Sequence, residues 1–215
     1  FRAALGSGAA VMVKAVAGGG GRGMRPVGLG DDLDEALARC AAKARAAFGD
    51  GAVLVEQLLT GARHVEVQIV GDGRDVVVLG DRDCTLQRRR QKLVEIAPAP
   101  WLGDEVRAAL WDSAVRLIAS AGYSGLATVE FLVSAEGWYF LEVNPRLQVE
   151  HTVTEEVTGL DLVEVGLRIA GGERLADLGI TATPAQRGVA VQARVNTETV
   201  EPDGTVRPGG GVLEA

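Results

Sequence analysis

Two strand-like segments around a short polar turn constrain the fold more than any other feature of the sequence. Residues 126–133 and 138–143 are rich in aliphatic and aromatic side chains, and the turn Ser134-Ala135-Glu136-Gly137 separates them. This arrangement predicts an antiparallel hairpin. With the turn centred near Glu136, Glu130 and Glu142 are equally far from its centre, so we expect them nearly opposite each other, with Cβ atoms about 4.5–5.5 Å apart.

A bound cation would explain this pair of carboxylates, since two like charges on neighbouring strands destabilise a bare sheet. Asn144 continues the same face two residues after Glu142 and adds a neutral oxygen. An all-oxygen set suits Mg²⁺ held together with nucleotide phosphates. The alternative is a solvated strand face with a coincidental pair. Because we expect the apolar residues Leu132 and Phe140 on that face too, the pattern favours a magnesium site at Glu130, Glu142 and Asn144.

The segment after the hairpin, Asn144 to His151, concentrates polar groups. Arg146 could hold a planar anion through two parallel hydrogen bonds, and Glu150 is placed to act as a base on that anion. A salt-bridged loop is the commoner fate of such residues. Attachment to the predicted metal hairpin favours an anion site with a base.

A glycine run follows the predicted strand at residues 11–16. Consecutive glycines let backbone N–H groups turn toward an anion, and Lys14 and Arg22 add positive charge. The run is neither a Walker loop nor a dinucleotide fingerprint. A bare glycine run is more often a flexible surface loop, but the strand and the two cations favour phosphate binding.

The remaining pattern indicates an α+β fold of mostly antiparallel strands with helices on one side of the sheet. On the alternating strand 63–70 we place His64, Glu66 and Gln68 on one face. Further expected elements are strands at 24–27, 53–57, 76–79 and 188–196, a helix from the cap Asp32 to Phe48 with an inward stripe of Leu33, Leu37, Cys40, Ala44 and Ala47, a helix at 104–121 with Val106, Leu110, Leu117 and Ile118 inward, short helices at 154–158 and 161–170, and a charged loop at 81–92. The basic run at 87–92 fits a solvated face and a phosphate or carboxylate contact equally well.

Composition excludes several classes of protein. A hydrophobic share of 47% supports a packed core, and a net charge of −7 argues against a general nucleic-acid surface. No apolar run approaches the roughly 18 residues of a membrane span. The two cysteines have no metal or disulfide spacing, which fits a reducing cytoplasm. Because the chain begins with Phe1, we expect an internal piece of a longer protein.

Five segments, in this order, resemble one known family: AGGGGRGMR, HVEVQIVGDG, DRDCTLQRRRQK, FLEVNPRLQVEHTVTEEVTG and VQARVN. Together they are similar to the ATP-grasp portion of biotin carboxylase, as found in acyl-CoA, pyruvate and urea carboxylases. The motif EVNPR alone would also suit carbamoyl-phosphate synthetase, whereas its continuation through His151 is more specific to biotin carboxylases. The resemblance implies an ATP-grasp fold, incomplete at both ends, with a glycine-loop lid subdomain at 1–58, an antiparallel core at 59–187 and the start of a C-terminal domain at 188–215.

The resemblance also implies a reaction. ATP phosphorylates bicarbonate to carboxyphosphate, which decomposes to CO₂ and phosphate; the phosphate takes the N1′ proton of biotin, and CO₂ carboxylates that nitrogen. Glu130, Glu142 and Asn144 would hold Mg²⁺ or Mn²⁺. The implied catalytic residues are Lys92, Arg146, Glu150 and Arg194: Lys92 for carboxyphosphate, Arg146 for bicarbonate, Glu150 as its base and Arg194 for the biotin enolate. The implied contacts with ATP and bicarbonate are Lys14, Gly19, Gly20, Gly21, Arg22, Gly23, Glu56, Gln57, Leu59, His64, Gln87, Leu132, Gln148 and Val149.

The implied partners are bicarbonate, a biotin carrier domain and a carboxyltransferase domain or subunit, in a cytoplasmic homo-oligomer without nucleic acid or membrane. Two positions depart from the family pattern: Arg90 stands where histidine or asparagine is common, and Gln57 replaces a frequent lysine. Two alternatives remain open, a carbamoyl-phosphate-synthetase-like enzyme and a non-catalytic nucleotide-binding module. The second should have lost a metal ligand or the base, and all of these residues are present.

Overall fold

The computed structural model describes residues 10–18, 23–88, 90–203 and 205–209. These residues form four helices and eleven strands, which make three antiparallel sheets. In chain order the elements are β1 Val11–Ala15, β2 Met24–Val27, α1 Leu33–Phe48, β3 Val53–Gln57, β4 Arg63–Asp72, β5 Val76–Arg88, β6 Gln91–Ala97, α2 Asp104–Ser120, β7 Ser124–Ser134, β8 Gly137–Asn144, α3 His151–Thr158, α4 Leu162–Ala170, β9 Ala190–Ala193, β10 Glu198–Val200 and β11 Val206–Pro208. No described helix is long and apolar enough to cross a membrane.

The first sheet has the order β2-β1-β3 and packs against α1. Asp32 caps α1 as expected: its Oδ1 accepts from the backbone N–H groups of Asp34 and Glu35 at 2.9 and 3.1 Å. The predicted inward stripe is wrong at Ala47, which is exposed, whereas Ala36 is buried. The predicted strand–loop–strand–helix–strand unit is confirmed from residue 10 to 57, outside the undescribed residues 19–22.

The large sheet has the order β8-β7-β4-β5-β6-β9. On one face, Val65, Val67 and Ile69 of β4 pack against α2 through Leu110 and Ile118. On the other face, β4 and β5 pack against α4 through Leu162, Val165 and Ile169. Helices therefore cover both faces, and the expectation of helices on one side was wrong. Because β4 is buried along both faces, each face needs a covering layer.

The expected charged loop at 81–92 was also wrong, because β5 runs to Arg88 and β6 begins at Gln91. The charged side chains at the start of this stretch, Asp81, Arg82 and Asp83, are buried instead of solvated. Asp81, 1% exposed, accepts hydrogen bonds from Ala99 N, Arg107 Nε and Trp111 Nε1 at 2.8, 2.9 and 3.0 Å. Satisfied in this way, a carboxylate can lie inside a sheet.

Smaller differences concern helix and strand ends. Leu117 of α2, expected inside, is 39% exposed. The helix α3 begins three residues earlier than predicted, and β9 covers only four residues of the predicted strand 188–196. The short hairpin β10–β11 was not predicted. The division of the chain at residues 58 and 187 remains a prediction.

The β7–β8 hairpin confirms the predicted opposition of Glu130 and Glu142 through a β-bulge. From the turn outward, Ser134 pairs with Gly137 and Phe131 with Phe140; the register then shifts and Glu130 pairs with Glu142. One extra β8 residue is accommodated at this step. The expectation that Phe140 shares the Glu130 face was wrong, because Phe140 pairs with Phe131 and the two rings meet edge-on, 6.3 Å between centroids.

Candidate active site

The face of the large sheet opposite α2 carries a buried set of charged side chains from β4, β6, β7 and the start of α3. Lys92 of β6 is the centre of this set. Its Nζ donates to Glu130 Oε1 at 3.0 Å, to Glu150 Oε1 at 2.6 Å and to Glu66 Oε2. Burial lowers the pKa of Lys92, but these carboxylates outweigh it and raise the pKa above its usual range. Lys92 is therefore a fixed positive charge at neutral pH.

Glu130 is 3% exposed and is held from several sides. His64 Nε2 lies 2.8 Å from its Oε2, and its Oε1 accepts from Asn144 Nδ2 at 3.0 Å and Gln148 Nε2 at 3.2 Å, in addition to Lys92. Burial raises the pKa of Glu130, but the His64 hydrogen bond and the Lys92 charge bring it to about 2. The structure thus brings together Glu130, His64, Lys92, Asn144 and Gln148.

The three predicted metal ligands lie on one face of the β7–β8 hairpin. Glu142 pairs with Glu130, and Asn144 pairs with Thr128 two residues along. The Glu142 carboxylate is exposed, and within the described part of the chain it makes no hydrogen bond or ion pair. Two carboxylates and an amide, one carboxylate open to solvent, fit a hard cation shared with nucleotide phosphates.

Two other groups of side chains bring potential ligand atoms within 4.8 Å of one another among the described residues. These groups are His64, Glu66 and Glu130, and Glu66, Cys84 and Glu150. Both need Glu66, whose two oxygens already accept from Arg82 and Lys92. Burial raises the pKa of the Cys84 thiol well above its usual range, so its thiolate is disfavoured. All three side chains of each group are buried, whereas the hairpin set includes the exposed Glu142, which a cation from solvent can reach.

Glu150 lies between two cations and is 1% exposed. Its Oε1 faces Lys92, and its Oε2 accepts from Arg194 Nη2 at 2.7 Å. The Nε of Arg194 donates to Glu95 Oε1 at 2.6 Å. Next to Glu150, the Oε1 atom of Gln148 is buried and has no hydrogen-bond partner among the described residues. A ligand with an O–H group would satisfy this acceptor.

Arg146 is exposed and only weakly held. It donates to Leu147 O at 3.2 Å and to Asn144 Oδ1 at 3.3 Å. Val149 is also exposed, by 62%. An anion that comes to Glu150 could therefore be met by the free donors of the Arg146 guanidinium.

The predicted nucleotide contacts fall into two groups. In the first sheet, Lys14 of β1 forms an ion pair with Glu56 of β3, Gln57 ends β3, and Leu59 follows it half-buried. In the large sheet, His64 Nδ1 lies 2.7 Å from Gln87 Nε2, and Leu132 pairs with His64 across β4 and β7.

The glycine loop is described only at its two ends, residues 17–18 and 23. Gly23 has φ 75°, and a Cβ there would approach the Ala15 Cβ to 2.8 Å, so this position requires glycine. Gly19, Gly20, Gly21 and Arg22 lie outside the described residues. Arg90, the departure from the family pattern, has φ 65° and donates to Met24 O at 3.3 Å.

Sequence reasoning missed Glu66, Arg82 and Glu95 as parts of the site. Glu66 was placed on the correct face but given no role, and Arg82 was counted in a loop. Glu95 lies between Val94 and Ile96, and a charged residue in an apolar strand normally has a fixed partner. This signal in the sequence could have found Glu95.

Comparison with known structures identifies the architecture as the ATP-grasp fold. A complex of Campylobacter jejuni biotin carboxylase with β,γ-ATP has a TM-score of 0.85 and 39% identity, over 94% of this chain and 45% of that one. The biotin carboxylase domain dimer of Hydrogenobacter thermophilus 2-oxoglutarate carboxylase, in complex with MgADP, ADP and bicarbonate, has a TM-score of 0.83 and 40% identity, over 92% of this chain and 44% of that one.

Residues 1–178 match the family model of the carbamoyl-phosphate synthase L chain, ATP binding domain, and the chain belongs to this family. Pyruvate carboxylase 1 of Caenorhabditis elegans is 49% identical over 210 residues, which are 96% of this chain and 18% of the relative. Human mitochondrial pyruvate carboxylase is 47% identical over 207 residues, or 95% of this chain and 17% of the relative. The chain thus spans less than a fifth of the length of these relatives.

Proposed function

We propose that this chain is the ATP-grasp part of an enzyme that carboxylates biotin with bicarbonate, at the expense of ATP and with Mg²⁺. The observation that carries the proposal is the buried Glu150 carboxylate, held between Lys92 and Arg194 beside the unpaired Gln148 Oε1. This arrangement joins a base, two fixed cations and an open acceptor in one place. Membership of the family and the similarity to pyruvate carboxylases support it.

The hairpin would hold the metal. Glu130, Glu142 and Asn144 supply the oxygen ligands, and the ion, once bound, would neutralise charge on the ATP phosphates. The amide of Asn144 now presents Nδ2 to Glu130, so its oxygen must face the ion when the metal is held. Lys14, the loop ending at Gly23 and the His64–Gln87 pair are proposed to contact the nucleotide.

The bicarbonate step is derived from the second half of the site. Arg146 and Gln148 hold the anion, whose one O–H is shared between two acceptors, Gln148 Oε1 and the Glu150 carboxylate. As a bicarbonate oxygen attacks the γ-phosphorus of ATP and ADP leaves, Glu150 takes the released proton. Lys92 stays protonated and stabilises the carboxyphosphate formed. These steps need one base and one fixed cation, and the Lys92–Glu150 pair supplies both.

Biotin would arrive on a carrier domain. Carboxyphosphate decomposes to CO₂ and phosphate, the phosphate takes the N1′ proton, and the nitrogen attacks CO₂. Arg194 is held by Glu95 and Glu150, and it would stabilise the negative charge on the ureido oxygen. A carboxyltransferase domain or subunit, a homo-oligomeric state and a cytoplasmic location complete the proposal; two free cysteines suit a reducing compartment.

The test uses the complete polypeptide that contains this chain. ATP hydrolysis should require bicarbonate and rise on addition of biotin, with carboxybiotin as a product. Glu142→Gln should reduce turnover about 100-fold or more, because a bound metal ion stabilises the charge of the transition state by several kcal/mol. Glu136→Gln, an exposed carboxylate at the tip of the same hairpin, should leave turnover within twofold. Turnover driven by ammonia or glutamine, and indifferent to biotin, would instead favour a carbamoyl-phosphate-synthetase-like enzyme.

A further inference from the structure

Arg82 of β5 is fully buried and contacts the proposed site through Glu66. Its Nε donates to Glu66 Oε1 at 2.5 Å, and its Nη1 donates to Gln68 Oε1 at 2.8 Å and to Thr154 Oγ1 at 2.7 Å. Its Nη2 donates to Thr128 Oγ1 at 3.4 Å. One guanidinium on β5 therefore joins β4, β7 and α3. Only a planar group with several donors can serve so many acceptors at once.

The first connection leads from Arg82 to Lys92. Glu66 is fully buried and uses one oxygen for Arg82 and the other for Lys92. Glu66 therefore lies between two cations, and its orientation fixes where the Lys92 ammonium lies.

The second connection leads from Arg82 to Glu150. Thr154 is 1% exposed and lies in the first turn of α3, four residues after Glu150, which precedes the helix. Four residues are about one helical turn, so the hydroxyl bonded to Arg82 sits one turn from the proposed base. The hydrogen bond thus fixes the start of α3, and Glu150 with it, against the sheet.

We propose that Arg82 is a positioning residue that holds Lys92 and Glu150 together, through Glu66 and Thr154 respectively. This inference rests on the proposed function, because it explains how the cation and the base of the bicarbonate step are kept 2.6 Å apart. Arg82 itself touches no reacting atom. We call the connection through Glu66 to Lys92 the β4 arm and the connection through Thr154 to Glu150 the α3 arm.

Thr154→Val tests the α3 arm with the least disturbance, because it keeps the volume and removes one acceptor. Arg82→Lys tests both arms, since an ammonium cannot reach four acceptors on three elements. Thr158→Val is the matched control: the same substitution on the same helix, at a hydroxyl that contacts only backbone groups, donating to Thr154 O and accepting from Leu160 N.

In the complete protein, the bicarbonate-dependent kcat should fall about 10-fold for Thr154→Val and about 100-fold for Arg82→Lys, the range known for residues that orient ligands indirectly. The KM for ATP should stay within twofold, and the control should match the unmodified protein. A purely structural role would lower the melting temperature and leave the kcat of the folded protein unchanged.

Crystal structures of the variants give a readout that does not depend on activity. The Lys92 Nζ to Glu150 Oε1 separation should exceed hydrogen-bond distance in Thr154→Val. A retained 2.6 Å contact together with an unchanged kcat overturns the proposal, even if Arg82→Lys does not fold. If the unmodified protein shows no bicarbonate-dependent turnover, the proposed function fails, and the crystallographic separation alone decides whether Arg82 positions the pair.

Discussion

Replacement of Glu150 by glutamine probes the proposed base and the ion network at the same time. Glu150 accepts from Lys92 through one oxygen and from Arg194 through the other. A glutamine keeps one acceptor, so it can still serve one of the two cations. Its amide N–H₂ group then faces the other cation, where two donors oppose each other.

The expected cost follows from what each cation retains. Lys92 keeps Glu66 and Glu130, and Arg194 keeps Glu95, so neither cation is stranded without a partner. The loss is one hydrogen bond between charged groups, which is worth about 1.5–3 kcal/mol. We therefore expect Glu150→Gln to lower the free energy of unfolding by about 2–3 kcal/mol. Glu150→Ala removes both acceptors and should cost more, about 3–5 kcal/mol.

Urea titration at neutral pH, followed by circular dichroism, measures the stability change, and the slope m should not change. In the same preparations, bicarbonate-dependent ATP turnover should fall about 10²–10⁴-fold for Glu150→Gln, the range expected for loss of a general base. The reasoning is refuted if Glu150→Gln is as stable as the unmodified protein and retains more than a tenth of its turnover.

Three further predictions concern stability. The Oδ2 of Asp72 accepts from Leu175 N at 3.1 Å, so Asp72→Asn should cost about 1–3 kcal/mol in urea titrations. Hydrogen bonds from backbone N–H groups, first that of Asp75, hold the pKa of Asp72 at about 2, below the ordinary value of 3.8. The contribution of Asp72 to the free energy of unfolding should thus be complete above pH 4 and be lost as the pH falls toward 2. A stability difference between the unmodified protein and Asp72→Asn that stays constant from pH 4 to pH 2 would contradict the assignment. Leu110→Ala should cost about 2–5 kcal/mol by calorimetry, because Leu110 is fully buried under the sheet. Asp32→Ala should cost about 0.5–2 kcal/mol through loss of the α1 cap, with Asp31→Ala as a neighbouring comparison that leaves the cap in place.

The elements that were predicted correctly are those whose sequence signals are complete within a few neighbouring residues. The start of α1 was predicted correctly because Asp32 needs only the N–H groups of the next turn to act as a cap. The strands β1, β3 and β4 were predicted correctly because their alternation or β-branched runs are complete within a few residues. Such signals do not depend on partners elsewhere in the chain.

The buried charges show why the rest could not be predicted. The segment from Asp81 to Lys92 has the composition of a solvated loop, and among its described residues only Thr85 supplies a hydrogen bond to a charged side chain of the segment, that of Asp83. The other partners include residues 66, 99, 107, 111 and 154, and Arg88 pairs with Glu198, 110 positions along the chain. A charge becomes tolerable in a sheet interior only when such partners are assembled, and a linear pattern does not contain that information.

The bulge in the β7–β8 hairpin reconciles two demands that a regular strand cannot meet. In a regular strand, residues 140 and 142 would share a face. Yet Phe140 meets the Phe131 ring on the side of the α2 core, and Glu142 must face Glu130 on the opposite side. The extra residue between these pairs reverses the alternation, so that the aromatic ring packs and the carboxylate reaches the site.

Equal spacing about a turn centre at Glu136 predicted the correct glutamate pair. The observed turn centre, however, lies between Ala135 and Glu136. Without the bulge, that centre would have set Leu141 opposite Glu130. The proposed metal site thus depends on a single irregularity in the backbone, one that hydrophobic alternation does not reveal.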